Sequence, residues 1–259
     1  MGTPRKSETC ELCITPPLQN IGAVMENEKQ ILSIRNIAII LAGGCGSRMG
    51  GSLPKQFLSL GGKTVLEWAV DAFEKNAHIH ETAIVCAPEW EEKVREMADK
   101  NHWLKLRKIL QGGVERYHST LSAIKAYRNS NANLIFHDAA RPLVSQRIID
   151  DVCVALQQHR AVDVALPCTD TILQVKDGFI ESVPDRNRLM RSQTPQAFRV
   201  EVIAKAYENA LKDADFTTTD DCGVVLRYLP DVPVFIVPGE ERNFKLTTPQ
   251  DLSVLEGMV

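Results

Sequence analysis

The fold is decided by the sequence IAIILAGGCGSRMG at residues 37–50, which is followed by PKQF at residues 54–57. The apolar run of its first six residues is too short for a typical helix and ends at paired glycines, so it predicts a buried parallel strand that enters a tight loop. Glycines in this loop lack the Cβ atoms that would hold a ligand away, so consecutive backbone N–H groups can form an anion-binding concavity. Because Arg48 and Lys55 add two positive charges, the stretch indicates a polyphosphate site.

Two better-known phosphate loops do not match this stretch. A dinucleotide-binding G-x-G-x-x-G that starts at Gly44 would need its third glycine at Met49. A Walker-type loop that ends at Gly62-Lys63-Thr64 would need its first glycine at Phe57. The pattern L-A-G-G-x-G-S-R-M followed by P-K-Q-F instead resembles the signature of sugar-nucleotide and polyol-nucleotide pyrophosphorylases. An ordinary strand-to-helix turn with solvated basic residues would leave the joint spacing unexplained.

The composition is that of an ordinary globular protein. With 259 residues, 44% apolar content and 24% charged content, the sequence predicts one large α/β domain with a tail. A formal net charge of −3 argues against a nucleic-acid binder that relies on bulk electrostatics, so any anion binding must be concentrated in a site. No apolar run approaches the roughly 20 residues that span a bilayer, and the first residues lack the apolar core of a signal peptide. We therefore expect a cytoplasmic protein without a membrane partner.

The N-terminal residues 1–34 mix Pro, Asn, Glu and Lys without a sustained period, which predicts a flexible extension ahead of a folded domain at residues 35–259. The chain has seven cysteines, and buried reduced thiols are their expected state. Cys10 and Cys13 form a C-x-x-C pair that could bind metal or cycle its redox state. A second ligand pair is missing, so a fortuitous pair in a tail is the favoured interpretation.

The remaining chain alternates strand and helix patterns at about 30 residues per unit. The predicted elements after the first strand are a helix at 64–73, a strand at 81–88, a helix at 91–100, a strand at 108–110, a helix at 120–128, a strand at 133–137, a helix at 200–211, a helix at 222–226 and a strand at 234–237. A lysine on a further short strand and a capped final helix, at 242–252, end the list. This rhythm predicts right-handed crossovers and a mostly parallel sheet flanked by helices, with its site at the carboxyl ends of the strands.

Each later motif follows a predicted strand. Gly113 can admit a flat ligand edge, and Ser119 offers that ligand a hydroxyl. Asp138 comes just after another strand, where it could hold a divalent cation against phosphates. Taken alone, Asp138 and Arg141 would more often be a local ion pair, but the glycine loop favours the metal role. His137 is predicted to be structural.

A β-rich stretch at residues 162–175, the turn at 176–179 and a returning strand at 180–183 predict a long hairpin outside the parallel sheet. Exposed sheet edges are usually covered by a partner, so this arm, at about residues 168–190, is predicted to mediate a homodimer. Three arginines within residues 186–191 suit a second phosphate.

Taken together, the ordered motifs resemble those of the 2-C-methyl-D-erythritol 4-phosphate cytidylyltransferase family over about residues 36–257. The motifs are L-A-G-G-x-G-S-R-M, P-K-Q-F, G-G-x-E-R, H-D-A-A-R-P, D-R-N, Q-T-P-Q-A-F, T-D-D and N-F-K-L-T-T-P-Q-D-L. The ribitol 5-phosphate cytidylyltransferases share most of them and are the alternative for the acceptor. A nicotinamide-dependent oxidoreductase or a non-catalytic nucleotide-binding regulator would be rivals of a different class. The missing third glycine counts against the former, and the retained basic and acidic residues count against the latter.

The resemblance implies a Rossmann-like nucleotidyltransferase fold, a homodimer formed through the hairpin arm, and the use of CTP and Mg²⁺. The residues that it implies for the nucleotide are Ala42, Gly43, Gly44, Gly46, Gly113, Ser119 and Asp138, with Asp138 also serving the metal. Those implied for catalysis are Arg48, Lys55 and Lys245, and those for the acceptor's phosphate are Thr171, Arg186 and Thr194, with Arg186 supplied by the other subunit. Val114 departs from the small polar or acidic residue of many relatives, which puts a side-chain contact to the base in doubt.

The implied chemistry needs no general base. The phosphate of an alcohol phosphate is already an anionic nucleophile at neutral pH, so its attack on the α-phosphorus of CTP needs in-line positioning and neutralised charge. This expectation agrees with a sequence that offers many lysines and arginines and no Ser/His/Asp or Cys/His constellation.

Overall fold

The structure, a computed structural model, describes residues 34–44 and 53–259. The strands are β1 (Arg35–Ala42), β2 (Ser59–Leu60), β3 (Lys63–Thr64), β4 (Glu81–Cys86), β5 (Leu106–Gln111), β6 (Ala132–Asp138), β7 (Ala161–Pro167), β8 (Gln174–Lys176), β9 (Phe179–Ser182), β10 (Met190–Ser192), β11 (Gln196–Arg199) and β12 (Phe235–Pro238). The α-helices within these ranges are α1 (Val65–Lys75), α2 (Glu91–Asn101), α3 (Arg116–Tyr127), α4 (Gln146–Ala155), α5 (Val200–Ala210), α6 (Asp221–Tyr228) and α7 (Pro249–Glu256). Short 3-10 turns lie at Lys55–Phe57, Pro88–Trp90 and Arg186–Arg188.

One mixed sheet of eight strands runs through the domain in the order β10-β7-β11-β6-β1-β4-β5, with β12 paired to β7. The pairs β1–β4, β1–β6, β4–β5 and β7–β12 are parallel, and β10 and β11 pair antiparallel to their neighbours. The prediction of a mostly parallel α/β sheet is confirmed, with the antiparallel strands added. Parallel neighbours β1 and β6 end at the same edge, and this edge carries the site.

Helices cover both faces of the sheet because alternate residues of its strands point to opposite faces. Ala38 and Ile40 of β1 pack in a core with α1, α2 and α4. Ile37 and Ile39 pack in a second core with α3, α5 and α6. A third, smaller cluster joins Leu246 to α7 and to β2. Within the described ranges, none of the helices has the length and apolarity needed to cross a bilayer.

The hairpin in the structure is shorter than the hairpin predicted at residues 162–183. The β-rich stretch does not form one long strand, because residues Ala161–Pro167 join the main sheet as β7. Only β8 and β9 form the hairpin, in a two-stranded sheet of their own, with Asp177 and Gly178 at positive φ in its turn. The arm therefore begins where β7 ends, and β10 returns the chain to β7 through a pairing of Met190 with Pro167.

Three other expectations are corrected. Helix α3 begins at Arg116, not at residue 120, because the Glu115 side chain and His118 cap its first turn reciprocally. Helix α4 was not predicted, although Ser145 caps it and Ile148, Ile149 and Val152 form a buried stripe. The segment that carries Lys245 is not a strand in the structure; the final helix is capped by Thr248, as predicted.

Candidate active site

A cavity of about 310 Å³ lies at the carboxyl ends of β1 and β6. It is lined by Leu41, Ala42, Gly43, Gly44, Lys55, Gln56, Gly113, Val114, Glu115, Arg116, Ser119, Asp138, Ala139, Ala140, Lys245 and Thr247. Eight of these are residues that the sequence had singled out for the nucleotide or for catalysis. The structure thus brings together residues that are up to about 200 positions apart in the chain, at the sheet edge where parallel strands end.

Three glycines in or next to the cavity wall, Gly43, Gly112 and Gly113, lie close to side chains of α3, whereas a Cβ atom on Gly44 would meet nothing. A Cβ atom on Gly112 would lie 2.7 Å from Ser119 Oγ, and one on Gly43 would lie 3.1 Å from the same oxygen. A Cβ atom on Gly113 would lie 2.6 Å from His118 Cβ. The three glycines therefore let the N-terminal turn of α3 approach β1, which places the Ser119 hydroxyl beside the cavity wall.

Lys55 is held by the segment that follows β12. Its Nζ donates to the carbonyl of Leu246 at 3.0 Å, and the Leu246 N–H in turn donates to the carbonyl of Ala140 at 2.8 Å. The neighbouring Gln56 is buried and donates to the carbonyl of Ala42 at 2.7 Å. These bonds fix the turn that carries Lys55 to the end of β1, so the ammonium group stays at the cavity.

Asp138 is the carboxylate at the end of β6 in the cavity, and two cations lie against it. Lys245 Nζ donates to Oδ2 at 2.7 Å, and Arg116 Nε lies 3.5 Å from Oδ1. Burial alone would raise the pKa of Asp138, but the charges of Arg116 and Lys245 outweigh burial and hold this pKa well below its usual range. The carboxylate is therefore ionised throughout the physiological range. Arg141 does not form the local ion pair considered from the sequence, because its guanidinium donates to the carbonyls of Asn243 and Ser192.

His137 and Thr194 form a buried support behind Asp138. The Thr194 hydroxyl accepts from the Asp138 N–H at 3.1 Å and lies 3.0 Å from His137 Nδ1, while His137 Nε2 lies 3.0 Å from the Arg141 carbonyl. Since a carbonyl only accepts, Nε2 carries the proton and Thr194 donates to Nδ1. Complete burial lowers the pKa of His137 to about 4, so the ring is neutral. His137 is structural, as predicted.

A second cavity of about 300 Å³ adjoins the first. It is lined by Arg141, Arg191, Ser192, Gln193, Glu241, Phe244, Lys245, Thr247 and Asp251. Lys245 and Thr247 belong to the walls of both cavities, so a single ammonium group lies between them. The Nε of Arg141, which is buried, has no hydrogen-bond partner among the described residues.

The remaining predicted site residues lie elsewhere. Gly46 and Arg48 fall in residues 45–52, outside the described residues. Thr171 and Arg186 are exposed on the arm, where Arg186 donates to the carbonyl of Thr169 at 3.2 Å. Thr194 lies beneath Asp138 and lines neither cavity. For these three residues, contact with an acceptor stays a prediction.

Sequence reasoning missed Arg116 and Asp221. Arg116 lines the first cavity and donates to Asp221 at 2.7 Å. Both residues occur in motifs quoted for the family, G-G-x-E-R and T-D-D, but Arg116 was assigned no role and Asp221 was interpreted only as part of a run that caps the helix at 222–226. The signal that could have found Asp221 is its place directly before the helix predicted from residue 222, whereas Arg116 lies beside Glu115 and four residues before the predicted start of its helix, so no local pattern marks it.

The donor set suits a magnesium ion shared with a substrate. Among the described residues, no group of three or more His, Cys, Asp or Glu side chains could hold a metal by itself. Mg²⁺ usually keeps several waters and binds through one or two carboxylates together with substrate phosphates. Asp138 lines the cavity and is ionised, so it can supply one such carboxylate. The residues present therefore fit a metal that arrives with a nucleotide, and they do not fit a resident metal cage.

An open α/β sheet with a glycine cradle, two lysines and the carboxylate of Asp138 at the ends of its parallel strands defines the class of protein as a nucleotidyltransferase. The family model described as IspD, 2-C-methyl-D-erythritol 4-phosphate cytidylyltransferase, matches residues 36–259. The chain belongs to this family and is an enzyme, a cytidylyltransferase.

Similar proteins agree with the family. The 2-C-methyl-D-erythritol 4-phosphate cytidylyltransferase of Thermobifida fusca is 44% identical over 232 residues, which are 87% of this chain and 93% of the relative. The bifunctional ribulose 5-phosphate reductase/CDP-ribitol pyrophosphorylase Bcs1 of Haemophilus influenzae is 42% identical over 86% of this chain but only 48% of its own length. The crystal structure of the 4-diphosphocytidyl-2C-methyl-D-erythritol synthase of Anaerococcus prevotii superimposes with a TM-score of 0.78 at 28% identity, covering 89% of this chain and 98% of that one.

Proposed function

We propose that the enzyme couples CTP, bound in the first cavity, to 2-C-methyl-D-erythritol 4-phosphate, bound in the second, and releases the CDP-polyol and pyrophosphate. The observation that carries this proposal is the position of Lys245 in the walls of both cavities. An ammonium group between two anionic substrates reduces their repulsion and stabilises the charge that develops on the transferred phosphoryl group.

Different residues of the first cavity are proposed to bind the cytosine and the triphosphate of CTP. The glycine cradle at Gly113 and the hydroxyl of Ser119 would receive the cytosine, with no side-chain contact from Val114, which is fully exposed. Backbone N–H groups at Gly43 and Gly44, together with Lys55, would hold the triphosphate. Gly46 and Arg48 are proposed to act with them.

Asp138 is proposed to hold Mg²⁺ against the phosphates. When bound, this ion would neutralise phosphate charge and polarise the bond to the leaving pyrophosphate. The chain's own part is to present an ionised oxygen ligand and to keep Lys245 next to it, 2.7 Å away, where the lysine can turn to an incoming phosphate. No general base is required, because the acceptor's phosphate is already ionised at neutral pH.

The second cavity suits a short phosphorylated polyol. Arg141 and Arg191 bring two guanidinium groups to its wall, where Arg191 is paired with Glu241 at 2.6 Å, and guanidinium groups bind phosphate in bidentate fashion. Thr171 and Arg186 line neither cavity and lie on the exposed arm. We propose that they reach the acceptor from the partner subunit of a homodimer.

The homodimer is proposed to form through the arm. Phe179 and Ile180 of β9 are 78% and 61% exposed, and Ile172, Leu173, Val175 and Val183 add further exposed apolar surface to the same hairpin. An apolar hairpin of this kind favours burial against another surface. A cytoplasmic setting is also proposed, since the described cysteines Cys86, Cys153, Cys168 and Cys222 are free thiols, which suits a reducing compartment.

The acceptor preference is tested by measuring kcat/KM for methylerythritol phosphate and for ribitol 5-phosphate with CTP. A missing methyl contact costs about 1–3 kcal/mol, whereas a buried polar group left unpaired rejects a substrate more strongly. We expect methylerythritol phosphate to be preferred, with detectable activity on ribitol 5-phosphate. A ratio of about tenfold or more in favour of ribitol 5-phosphate would contradict the proposal and favour a CDP-ribitol-forming enzyme.

A further inference from the structure

Arg116 lies between two carboxylates at unequal distances. Its Nη1 donates to Asp221 Oδ2 at 2.7 Å, whereas its Nε lies 3.5 Å from Asp138 Oδ1. The shorter distance is that of a charge-assisted hydrogen bond, and the longer one is that of an ion pair without a good hydrogen bond. The guanidinium group is therefore committed to Asp221 and only attracted by Asp138.

Asp221 is held in place from several directions. It is fully buried at the first position of α6, and its Oδ1 accepts from the Tyr207 hydroxyl at 2.7 Å. Its backbone N–H donates to Gln196 Oε1 at 3.1 Å. Asp220 caps the helix through the N–H of Gly223, so the start of α6 does not depend on the Asp221 side chain. The Asp221 carboxylate is thus free to serve Arg116.

Lys245 and Arg116, the two cations next to Asp138, differ in how easily each can move away from this carboxylate. The Lys245 side chain is 39% exposed and lies between the two cavities, so it can exchange Asp138 for a phosphate. Arg116 is more enclosed, with its other end bonded to buried Asp221. Whether Asp138 Oδ1 is open to another cation therefore depends on how firmly Asp221 retains Arg116.

We propose that Asp221 is a positioning residue, which holds Arg116 back from Asp138 and so keeps a carboxylate oxygen available to the metal that accompanies the nucleotide. This inference rests on the proposed function, because it needs a metal at Asp138. Without the charge of Asp221, Arg116 moves the short distance to Asp138 and competes with the divalent cation for the same oxygen.

The test uses Asp221→Asn, the double variant Arg116→Gln with Asp221→Asn, and Tyr207→Phe, each compared with the wild type in the full chain. Calorimetry measures the Mn²⁺ concentration that gives half-maximal CTP binding, without acceptor and without turnover. CTP affinity in EDTA and the melting temperature are measured alongside. In Asp221→Asn we expect the half-saturating Mn²⁺ concentration to rise about tenfold, as for other residues that orient a metal ligand, while metal-free CTP affinity stays within about twofold.

The double variant distinguishes positioning from a purely structural role. Since it also removes the competing guanidinium, its half-saturating Mn²⁺ concentration should return most of the way to that of the wild type, even if its melting temperature remains low. A double variant that needs as much Mn²⁺ as Asp221→Asn would overturn the inference. So would a folded Asp221→Asn protein whose Mn²⁺ requirement is unchanged.

Tyr207→Phe covers the case in which Asp221→Asn does not fold. It removes one hydrogen bond to Asp221 and alters no charge, so the Mn²⁺ requirement should rise by about twofold or more. An unchanged requirement would count against the inference. If CTP binding to the wild type does not depend on divalent metal, the metal role in the proposed function is overturned, and this inference with it. The results for the variants bear on Asp221 alone.

Discussion

Replacement of Lys245 by methionine should abolish most of the turnover and leave the fold intact. The ammonium group lies 2.7 Å from Asp138 and borders both cavities. A unit charge about 4 Å from a developing phosphate charge contributes about 4 kcal/mol at an effective dielectric constant of about 20. Loss of one preorganised donor costs about 10²–10³ in kcat, or about 2.7–4 kcal/mol, so the two estimates agree. We expect kcat to fall by about 10²–10³.

Lys63→Met is the matched control. Lys63 is 39% exposed and pairs with Asp71, whose side chain is 15% exposed, while Lys245 is also 39% exposed and pairs with Asp138 at 12%. The two pairs thus have similar exposure, but Lys63 borders neither cavity. Because both carboxylates are largely buried, each substitution should cost more than the about 0–1 kcal/mol of an exposed ion pair, and the two should lower the melting temperature by similar amounts.

The assay is continuous detection of pyrophosphate release at saturating CTP and acceptor, together with thermal melting of both variants. Lys245→Arg is added because it restores the charge without the compact geometry of the ammonium group, and it should recover part of the activity. The reasoning is refuted if Lys245→Met keeps near-wild-type turnover, or if Lys63→Met loses as much activity at the same melting temperature.

Three further predictions concern stability, assembly and the N-terminal residues. Burial raises the pKa of Asp163 to about 6, so its native carboxyl contributes stability below pH 3.8 that is lost as the pH rises through about 6. Because asparagine does not titrate, the free energy of unfolding of Asp163→Asn minus that of the wild type should increase by about 2 kcal/mol between pH 4 and pH 7. A difference that stays constant with pH in urea titrations would contradict this. Phe179→Ser combined with Ile180→Ser should yield monomers in sedimentation velocity, with less than wild-type activity. The control Leu226→Ser, at a site on α6 that is 55% exposed, should not change the mass of the particle. An unchanged mass in the arm variant would reject the arm interface. Deletion of residues 1–30 should leave melting temperature and kcat largely unchanged, since that sequence has no helix or strand period; a large fall in melting temperature would show that these residues pack on the domain.

The parts of the site that could be predicted are those whose signal is local. A short apolar run that ends in glycines indicates both a buried strand and a close backbone approach, and the structure confirms β1 and the positions of Gly43 and Gly44 at the cavity. Asp138 and Ser119 follow the same logic, because each comes at or soon after the end of a strand. Their meeting was predictable once the parallel sheet had been inferred.

The parts that could not be predicted depend on partners far away in the chain. Arg116 and Asp221 are 105 residues apart, and no local pattern shows that they share a hydrogen bond. Strand β11 is short and carries polar residues, so its place between β6 and β7 follows from tertiary pairing rather than from periodicity. The strand predicted around Lys245 is absent because the Leu246 N–H in this segment donates to the Ala140 carbonyl rather than to a neighbouring strand.

Thr194 shows how a motif residue can have an environment that the sequence does not reveal. The family resemblance implies that this residue binds the acceptor's phosphate, and that role stays a prediction. In the structure, the hydroxyl is buried and bonded to the Asp138 N–H and to His137. Burial of this kind is decided by the packing of three separate segments, which no single stretch of sequence contains.

The pairing of Met190 with Pro167 has a consequence for which insertions and deletions the domain can accept during evolution. Both ends of the arm are fastened side by side in the main sheet, so the intervening residues form a loop whose closing entropy grows only slowly with its length. Insertions and deletions there should cost the domain little stability. The length of the arm can therefore change at little cost to the stability of the domain, and the limit on its divergence is set by what its exposed residues must contact.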